Sequence, residues 1–278
     1  MIDSYAVIGN PIHHSLSPLI HSLFAEQTNQ QLTYRRILVE LDGLAQALDE
    51  FAAEGGRGLN ITLPFKHSAF FMVNAHSERA VCAEAINTIR FDVDGSRYGD
   101  NTDGVGLIRD IARQQFSLQS KRILIVGAGG AVRGVLKPLL DESPQELVIA
   151  NRTEDKAIAL ADLFSQYGPI QACAFPDLEK LSFDLIVNCT SASLRLEELA
   201  LPQALLRKDT FCYDMAYGQS ITPFLQWAKN AGAAKISNGL GMLVEQAAES
   251  FYLWRGVRPD VEPVLVKLKG ESDAKFAI

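Results

Sequence analysis

The stretch "RILIVGAGGAVRG", residues 122–134, decides the fold. An apolar, β-branched run from Ile123 to Val126 leads straight into Gly127, Gly129 and Gly130, and helical spacing follows. Glycines at such a junction permit a tight turn and let backbone N–H groups approach a pyrophosphate at a helix N-terminus. The spacing is G-x-G-G-x-x-x-G, so the third small position is displaced to Gly134. A glycine run alone is a weak signal. Its strand–turn–helix setting favours dinucleotide binding over a merely structural turn.

Four more strand-like runs follow: "ELVIAN" (146–151), "DLIVNC" (184–189), "TFCYDM" (210–215) and "AKISN" (234–238). Their apolar character suits strands covered on both faces. Helical runs at 131–140 and 156–167 separate the first of them, and Pro138 would bend the earlier one. The N-terminal part repeats the alternation. Strands are expected at 5–9, 34–41, 58–63 and 86–91, and helices at 17–27 and 43–54. "INTIRFDVDGSRYGDN" (86–101) reads as a hairpin around the turn "DVDG". The expected class is α/β with mostly parallel sheets. A length of 278 residues suggests two domains, with a boundary near "GDNTDGVG" (99–106). The long helix at 241–256 fits either domain by pattern alone.

Composition narrows the function. The net charge is −7 and there is no Lys/Arg block, which argues against nucleic acid and anionic membrane surfaces. A cleft can still oppose the net charge and hold a small anion. Cys82, Cys173, Cys189 and Cys212 are far apart, which argues against a zinc site or a disulfide framework. Cys189 and Cys212 read as buried thiols. No metal is expected. The first residues lack a signal-peptide pattern and no apolar run reaches spanning length, so the expected location is cytoplasmic.

The strand at 146–151 ends in Asn151 and Arg152. NAD binders place an acidic residue about there for the ribose 2′-hydroxyl. A carboxylate would repel a 2′-phosphate, whereas Arg152 can bind one, so NADP is expected over NAD. Thr153 reads as the cap of the next helix, with Glu154 and Asp155 in its first turn.

In the first domain, "NITLPFK" (60–66) closes an apolar strand and turn with Lys66. Lys66 is either a solvated helix start or a charge positioned at a strand end. Ser17 before Pro18 reads as an N-cap, and spacing alone favours that reading. Ser15 and Ser17 at a helix start also suit a carboxylate. His13, His14 and His21 show no metal-ligand pattern and read as surface or helper residues. Gln246 lies on an apolar helical stripe, so its amide needs either a ligand or a backbone partner.

Taken in order, "AVIGNPIHHSLSP" (6–18), "NITLPFK", "AINT" (85–88), "GDNTDGVG", "GAGGAVRG" (127–134), "NRT" (151–153), "DMAY" (214–217) with "TPF" (222–224), and "NGLGMLVEQAA" (238–248) resemble the successive motifs of the shikimate dehydrogenase family. The resemblance runs from Tyr5 to Trp254. It implies reversible reduction of 3-dehydroshikimate to shikimate by NADPH, on the route to chorismate and the aromatic amino acids. It also implies two α/β domains with a cleft between them. Residues 1–102 and 239–278 would form the substrate domain, and 103–238 the Rossmann-type NADP domain. Lys66 would be the acid/base, with Asp103 beside it. Ser15 and Ser17 would hold the substrate carboxylate. Thr62, Asn87, Asp103 and Gln246 would take the hydroxyls, and Tyr217 would line the pocket. The cofactor would lie over Gly127, Ala128, Gly129, Gly130 and Ala131, and over Asn151, Arg152, Thr153 and Lys156. Met215 and Gly239 would lie near the nicotinamide, and Glu78 would also reach the cofactor. The expected partners are these small molecules only, with the chain a monomer or homodimer.

The sequence departs from the family pattern at three places. Leu16 stands where a basic or polar residue often separates the serines. "NCTSASL" (188–194) places Ala192 and Ser193 where Ser-Gly is usual, in a loop that faces the cofactor in the family. Asn238 replaces a common aspartate. Competing readings are a quinate/shikimate dehydrogenase using NAD or both cofactors, a non-catalytic metabolite sensor on the same fold, and a two-domain dehydrogenase of the methylenetetrahydrofolate type. Arg152 argues against the first, and Lys66 with Asp103 against the second. The serine pair suits a small carboxylate better than a folate.

Overall fold

The computed structural model describes residues 2–218 and 220–274. It divides into two compact units, residues 1–106 with 243–278, and residues 107–242. The division falls four residues later at each junction than the expected 102/103 and 238/239, which leaves Asp103 in the first unit.

The first unit opens with β1 (Asp3–Gly9), α1 (Ser17–Gln27), β2 (Leu32–Leu38), α2 (Leu44–Ala53) and β3 (Gly56–Ile61). Two short helices follow, α3 (Lys66–Phe70) and α4 (Glu78–Ala83), with β4 (Ala75–His76) between them. The hairpin strands β5 (Thr88–Phe91) and β6 (Arg97–Asp100) complete a six-stranded sheet of order β2-β1-β3-β5-β6-β4. β1 is parallel to both β2 and β3. Only β5 runs against its neighbours, because the turn after Phe91 reverses the chain. One face buries Ile8, Leu48, Phe51, Leu59, Ile61 and Ile89. Burying each such side chain contributes about 1.5–3 kcal/mol.

The other face carries an aromatic cluster around His21. This residue is fully buried in α1, stacked on Tyr34 at 4.3 Å between ring centroids, with Phe24, Phe251 and Trp254 beside it. Neither ring nitrogen has a hydrogen-bond partner. Burial pushes its pKa down to about 3, and neighbouring Asn60 offsets this only in part. His21 is therefore a core residue, and of the surface and helper expectations the surface one fails for it. His13 and His14 are exposed, with their rings 3.6 Å apart.

α5 (Asp103–Arg113) leads into the second unit, where β7 (Arg122–Val126), α6 (Gly130–Asp141), β8 (Glu146–Ala150), α7 (Glu154–Phe164) and β9 (Ile170–Cys173) follow. β10 (Phe183–Asn188), β11 (Leu206–Asp214), α8 (Pro223–Asn230) and β12 (Lys235–Asn238) complete a second sheet, wholly parallel, of order β12-β11-β10-β7-β8-β9. α6 continues through Pro138 to Asp141. Separate apolar clusters cover the two faces, which is why these strands read as continuous apolar runs. Cys212 is buried among them. α9 (Leu240–Arg255) and α10 (Glu262–Ala274) end the described chain. Trp254 of α9 lies against Gly58, where an added Cβ would overlap its ring, and donates from Nε1 to the Ile89 carbonyl at 2.9 Å. Among the described residues no helix is long and apolar enough to cross a membrane.

Candidate active site

In an open α/β sheet, ligands bind at the carboxyl ends of strands where the strand order reverses. In the first sheet that point lies between β1 and β3. The loop after β1 carries Ser15 and Ser17, and the turn after β3 carries Thr62 and Lys66. The Phe65 amide donates to the Thr62 carbonyl at 3.0 Å and closes this turn. Phe65 is buried and anchors it. The Ile86 amide donates to the Lys66 carbonyl at 3.0 Å and ties the start of α3 to the chain entering β5.

Lys66 Nζ lies 2.6 Å from Asp103 Oδ2. Asp103 opens α5 and is buried, and its Oδ1 accepts from Asn87 Nδ2 at 2.7 Å. Asn87 in turn accepts at Oδ1 from the Thr102 amide at 2.9 Å and from Thr88 Oγ1 at 2.9 Å. Its Nδ2 also comes within 3.3 Å of Gln246 Oε1. The Gln246 amide has a backbone partner and two side-chain partners: Nε2 donates to the Leu243 carbonyl at 2.8 Å, and Oε1 meets Asn87 and Thr102. Lys66, Asn87, Asp103 and Gln246 are thus one hydrogen-bonded cluster.

Two supports of that cluster, Asn60 and Arg79, carry no local mark in the sequence. Buried Asn60 donates to the Asn87 carbonyl (3.1 Å), to Thr88 Oγ1 (3.1 Å) and to Ser250 Oγ (3.0 Å). It accepts from Tyr34 at 2.7 Å. Arg79 forks onto both oxygens of buried Asp100, at 2.6 and 2.5 Å, and reaches Glu249 at 3.1 Å. Asp100 also accepts the Asn101 amide at 2.7 Å, so the approach to Asp103 is held from behind. "N" in a motif and "R" on a short helix give no signal of partners more than twenty residues away.

The serine loop differs from its expected form. α1 begins at Ser17, with Leu16 at the cap position and no side-chain cap. Ser17 therefore does not cap the helix. The Ser17 amide instead donates to Ser15 Oγ at 3.3 Å, and the two hydroxyls lie 3.1 Å apart. That spacing lets both serve a single carboxylate. Glu78 opens α4 on the surface of the first unit, outside this cluster of side-chain contacts.

In the second sheet the order reverses between β7 and β10. Gly127 has φ +116°, a conformation only glycine adopts without strain, and a Cβ there would crowd Thr190 at 3.1 Å. Gly129 and Gly130 face open space, with no atom within 4 Å of a Cβ position, and α6 starts at Gly130. This turn, with Ala128 and Ala131, suits a pyrophosphate. Asn151 and Arg152 follow β8 directly beside it, since the Gly127 amide donates to the Ala150 carbonyl at 2.8 Å. Arg152, Thr153 and Lys156 are exposed. Thr153 stands at the N-cap position of α7, but its side chain makes no cap bond. Asn151 Nδ2 instead holds the Thr153 carbonyl at 2.8 Å.

Asp214 is buried at the end of β11, the strand next to β10. It accepts from Ser193 Oγ (2.6 Å), Thr222 Oγ1 (2.6 Å), Asn188 Nδ2 (3.1 Å) and the Ala216 amide (3.0 Å). Ser193, one of the departures from the family pattern, pins the loop after β10 to this carboxylate. Met215 and Gly239 are in direct contact: a Cβ on Gly239 would stand 2.1 Å from the Met215 carbonyl oxygen. Asn238 Oδ1 accepts the Leu240 amide at 3.1 Å and caps α9. Tyr217 is half-buried, and burial raises its phenol pKa.

The chain is similar to known proteins over nearly its whole length. Residues 7–89 match a model of the shikimate dehydrogenase substrate-binding domain, and residues 110–237 match one of shikimate/quinate 5-dehydrogenase. Residues 239–265 match the shikimate 5′-dehydrogenase C-terminal domain. The chain is 52% identical to a shikimate dehydrogenase (NADP⁺) of Cellvibrio japonicus, over 99% of this chain and 100% of that one. An Ael1 enzyme from Pseudomonas putida is 47% identical with a TM-score of 0.90, over 96% of this chain and 98% of that one. A shikimate 5-dehydrogenase from Thermus thermophilus, solved with NADP(H) and shikimate, is 32% identical with a TM-score of 0.85, over 95% and 97%. The chain belongs to the shikimate dehydrogenase family.

Proposed function

We propose that this chain catalyses the reversible NADPH-dependent reduction of 3-dehydroshikimate to shikimate. The observation that carries this reading is the Lys66–Asp103–Asn87 cluster at a strand-order reversal. When bound, NADPH supplies the hydride. Reduction of a ketone leaves an alkoxide that needs a proton. Lys66 Nζ donates it, and Asp103 orients the ammonium and accepts a substrate hydroxyl. Thr62, Asn87 and Gln246 take the remaining ring hydroxyls, and Ser15 and Ser17 take the carboxylate. In the second unit, Gly127 to Ala131 receive the pyrophosphate, and Arg152 with Lys156 the 2′-phosphate. Thr153, through its carbonyl on Asn151, shapes the same turn. Met215 and Gly239 serve the nicotinamide end, Tyr217 lines the substrate pocket, and Glu78 is assigned to the cofactor on the family resemblance alone. Arg152 favours NADP over the NAD-using quinate/shikimate alternative, and the paired Lys66 argues for turnover over a sensor. The reading includes a cytoplasmic location and a monomeric or homodimeric state, which fractionation and light scattering test. The decisive test is an absorbance assay of shikimate with NADP⁺ and then with NAD⁺. Efficient turnover with NADP⁺ is expected, and none with either cofactor would end the proposal.

A further inference from the structure

The backbone of Ser15 is held by one guanidinium. Arg36 Nε and Nη2 both donate to the Ser15 carbonyl oxygen, at 2.9 and 2.6 Å. Arg36 stands on β2, in register with Val7 of β1, and is exposed. No carboxylate pairs with it among the described residues. The first turn of α1 carries no acidic side chain, and Leu16 between the serines is apolar. The guanidinium is therefore an unpaired positive charge bonded to the loop that presents Ser15 and Ser17. In a chain of net charge −7, local positive potential of this kind has to be built in.

We propose that Arg36 is a positioning residue for the substrate carboxylate. Its fork fixes the Ser15 peptide, which keeps the Ser15 and Ser17 hydroxyls 3.1 Å apart and able to share one anion. Its unpaired charge adds a field that favours that anion. A lysine there would bring the charge without the two-pronged hold. The inference rests on the reading that Ser15 and Ser17 bind the carboxylate.

The test is steady-state kinetics of the full chain with Arg36→Gln and Arg36→Lys, with melting temperature followed in parallel. Arg36→Gln should raise KM for shikimate about tenfold while kcat falls less than about threefold and KM for NADP⁺ holds. Arg36→Lys should recover part of the loss. Raising ionic strength should raise KM in the parent more than in Arg36→Gln, since salt screens the field. An unchanged shikimate KM in Arg36→Gln overturns the proposal, as do equal losses in kcat and both KM values. A neutral analogue with a hydroxymethyl group in place of the carboxylate separates the two ideas. A parent that binds it as well as shikimate refutes the serine reading and Arg36 with it. A parent that prefers the carboxylate, with Arg36→Gln unaffected, refutes Arg36 alone.

Discussion

Asp103 holds Lys66 with one carboxylate oxygen and Asn87 with the other, at 2.6 and 2.7 Å. Each carboxylate oxygen is held by one partner and keeps a further lone pair for a substrate hydroxyl, so the lysine is aimed rather than merely paired. An isolated ion pair at a surface contributes little. In the proposed reaction the worth of this one lies in orienting the proton donor.

Lys66→Ala should therefore cost turnover more than binding. Loss of a general acid reduces rate by about 10²–10⁴-fold, or about 3–5 kcal/mol of barrier. Asp103 keeps its bond from Asn87 in the variant, so the fold and NADPH binding should survive. Stopped-flow or steady-state kcat, with NADPH binding by fluorescence, checks this. A variant retaining more than about half of the parent kcat would remove Lys66 from the acid/base role.

Ser15 and Ser17 should separate in stability and agree in KM. Ser15 Oγ takes the Ser17 amide at the long distance of 3.3 Å, so Ser15→Ala should lose well under the ~1 kcal/mol of a full helix cap. Ser17 is buried and should cost more on removal. Each change should raise KM for shikimate. Melting curves and kinetics on both variants test this, and an unchanged KM for Ser15→Ala would leave that serine a structural residue.

Arg152→Ala should weaken NADP⁺ about 10- to 150-fold and leave NAD⁺ nearly as it was, because hydrogen bonds to charged groups contribute about 1.5–3 kcal/mol. Arg152 is exposed, so the ionic strength must be fixed and the lower end of the range is expected. The measurement is kcat/KM with each cofactor. Equal losses for both would indicate damage to the whole nucleotide site, and no loss would make Arg152 a surface residue.

His21 should set part of the acid limit of stability. Its pKa falls from 6.5 in the unfolded chain to about 3 in the fold. The unfolded chain binds the extra proton throughout that window, so the stability is complete above pH 6.5 and is lost as pH falls toward 3. The slope is about 1.4 kcal/mol per pH unit. His21→Phe should remove that slope. Denaturant melts of parent and variant between these pH values check it, and parallel curves would contradict it.

The elements legible in the sequence are those whose cause is local. Strands β7, β8, β10 and β11 announce themselves by apolar runs, and the turn at Gly127 by its glycines. α5 was hidden because Asp103, Gly104 and Gly106 look like turn composition, while Leu107, Ile108 and Ile111 carry its period. β4 and β9 are short edge strands with little pattern of their own. In the site, Lys66 and Asp103 could be singled out by motif, yet their contact spans 37 residues and is made by folding alone. Asn60 with Ser250, separated by 190 positions, and Arg36 with Ser15 left no trace in spacing. The burial of His21 is not legible either, because a histidine in a helix gives no hint of the aromatic neighbours Tyr34, Phe251 and Trp254.

Hydride transfer between shikimate and NADP is the reaction proposed for this chain. Its most direct test follows NADPH formation from shikimate and NADP⁺ by purified parent protein, with NAD⁺ in a parallel cuvette and Lys66→Ala as the control. Turnover on the order of 1–10³ s⁻¹ is expected with NADP⁺, with much lower kcat/KM for NAD⁺ and a rate at least about 10²-fold lower in the control. No NADPH formation by a folded parent protein that binds NADPH would contradict it.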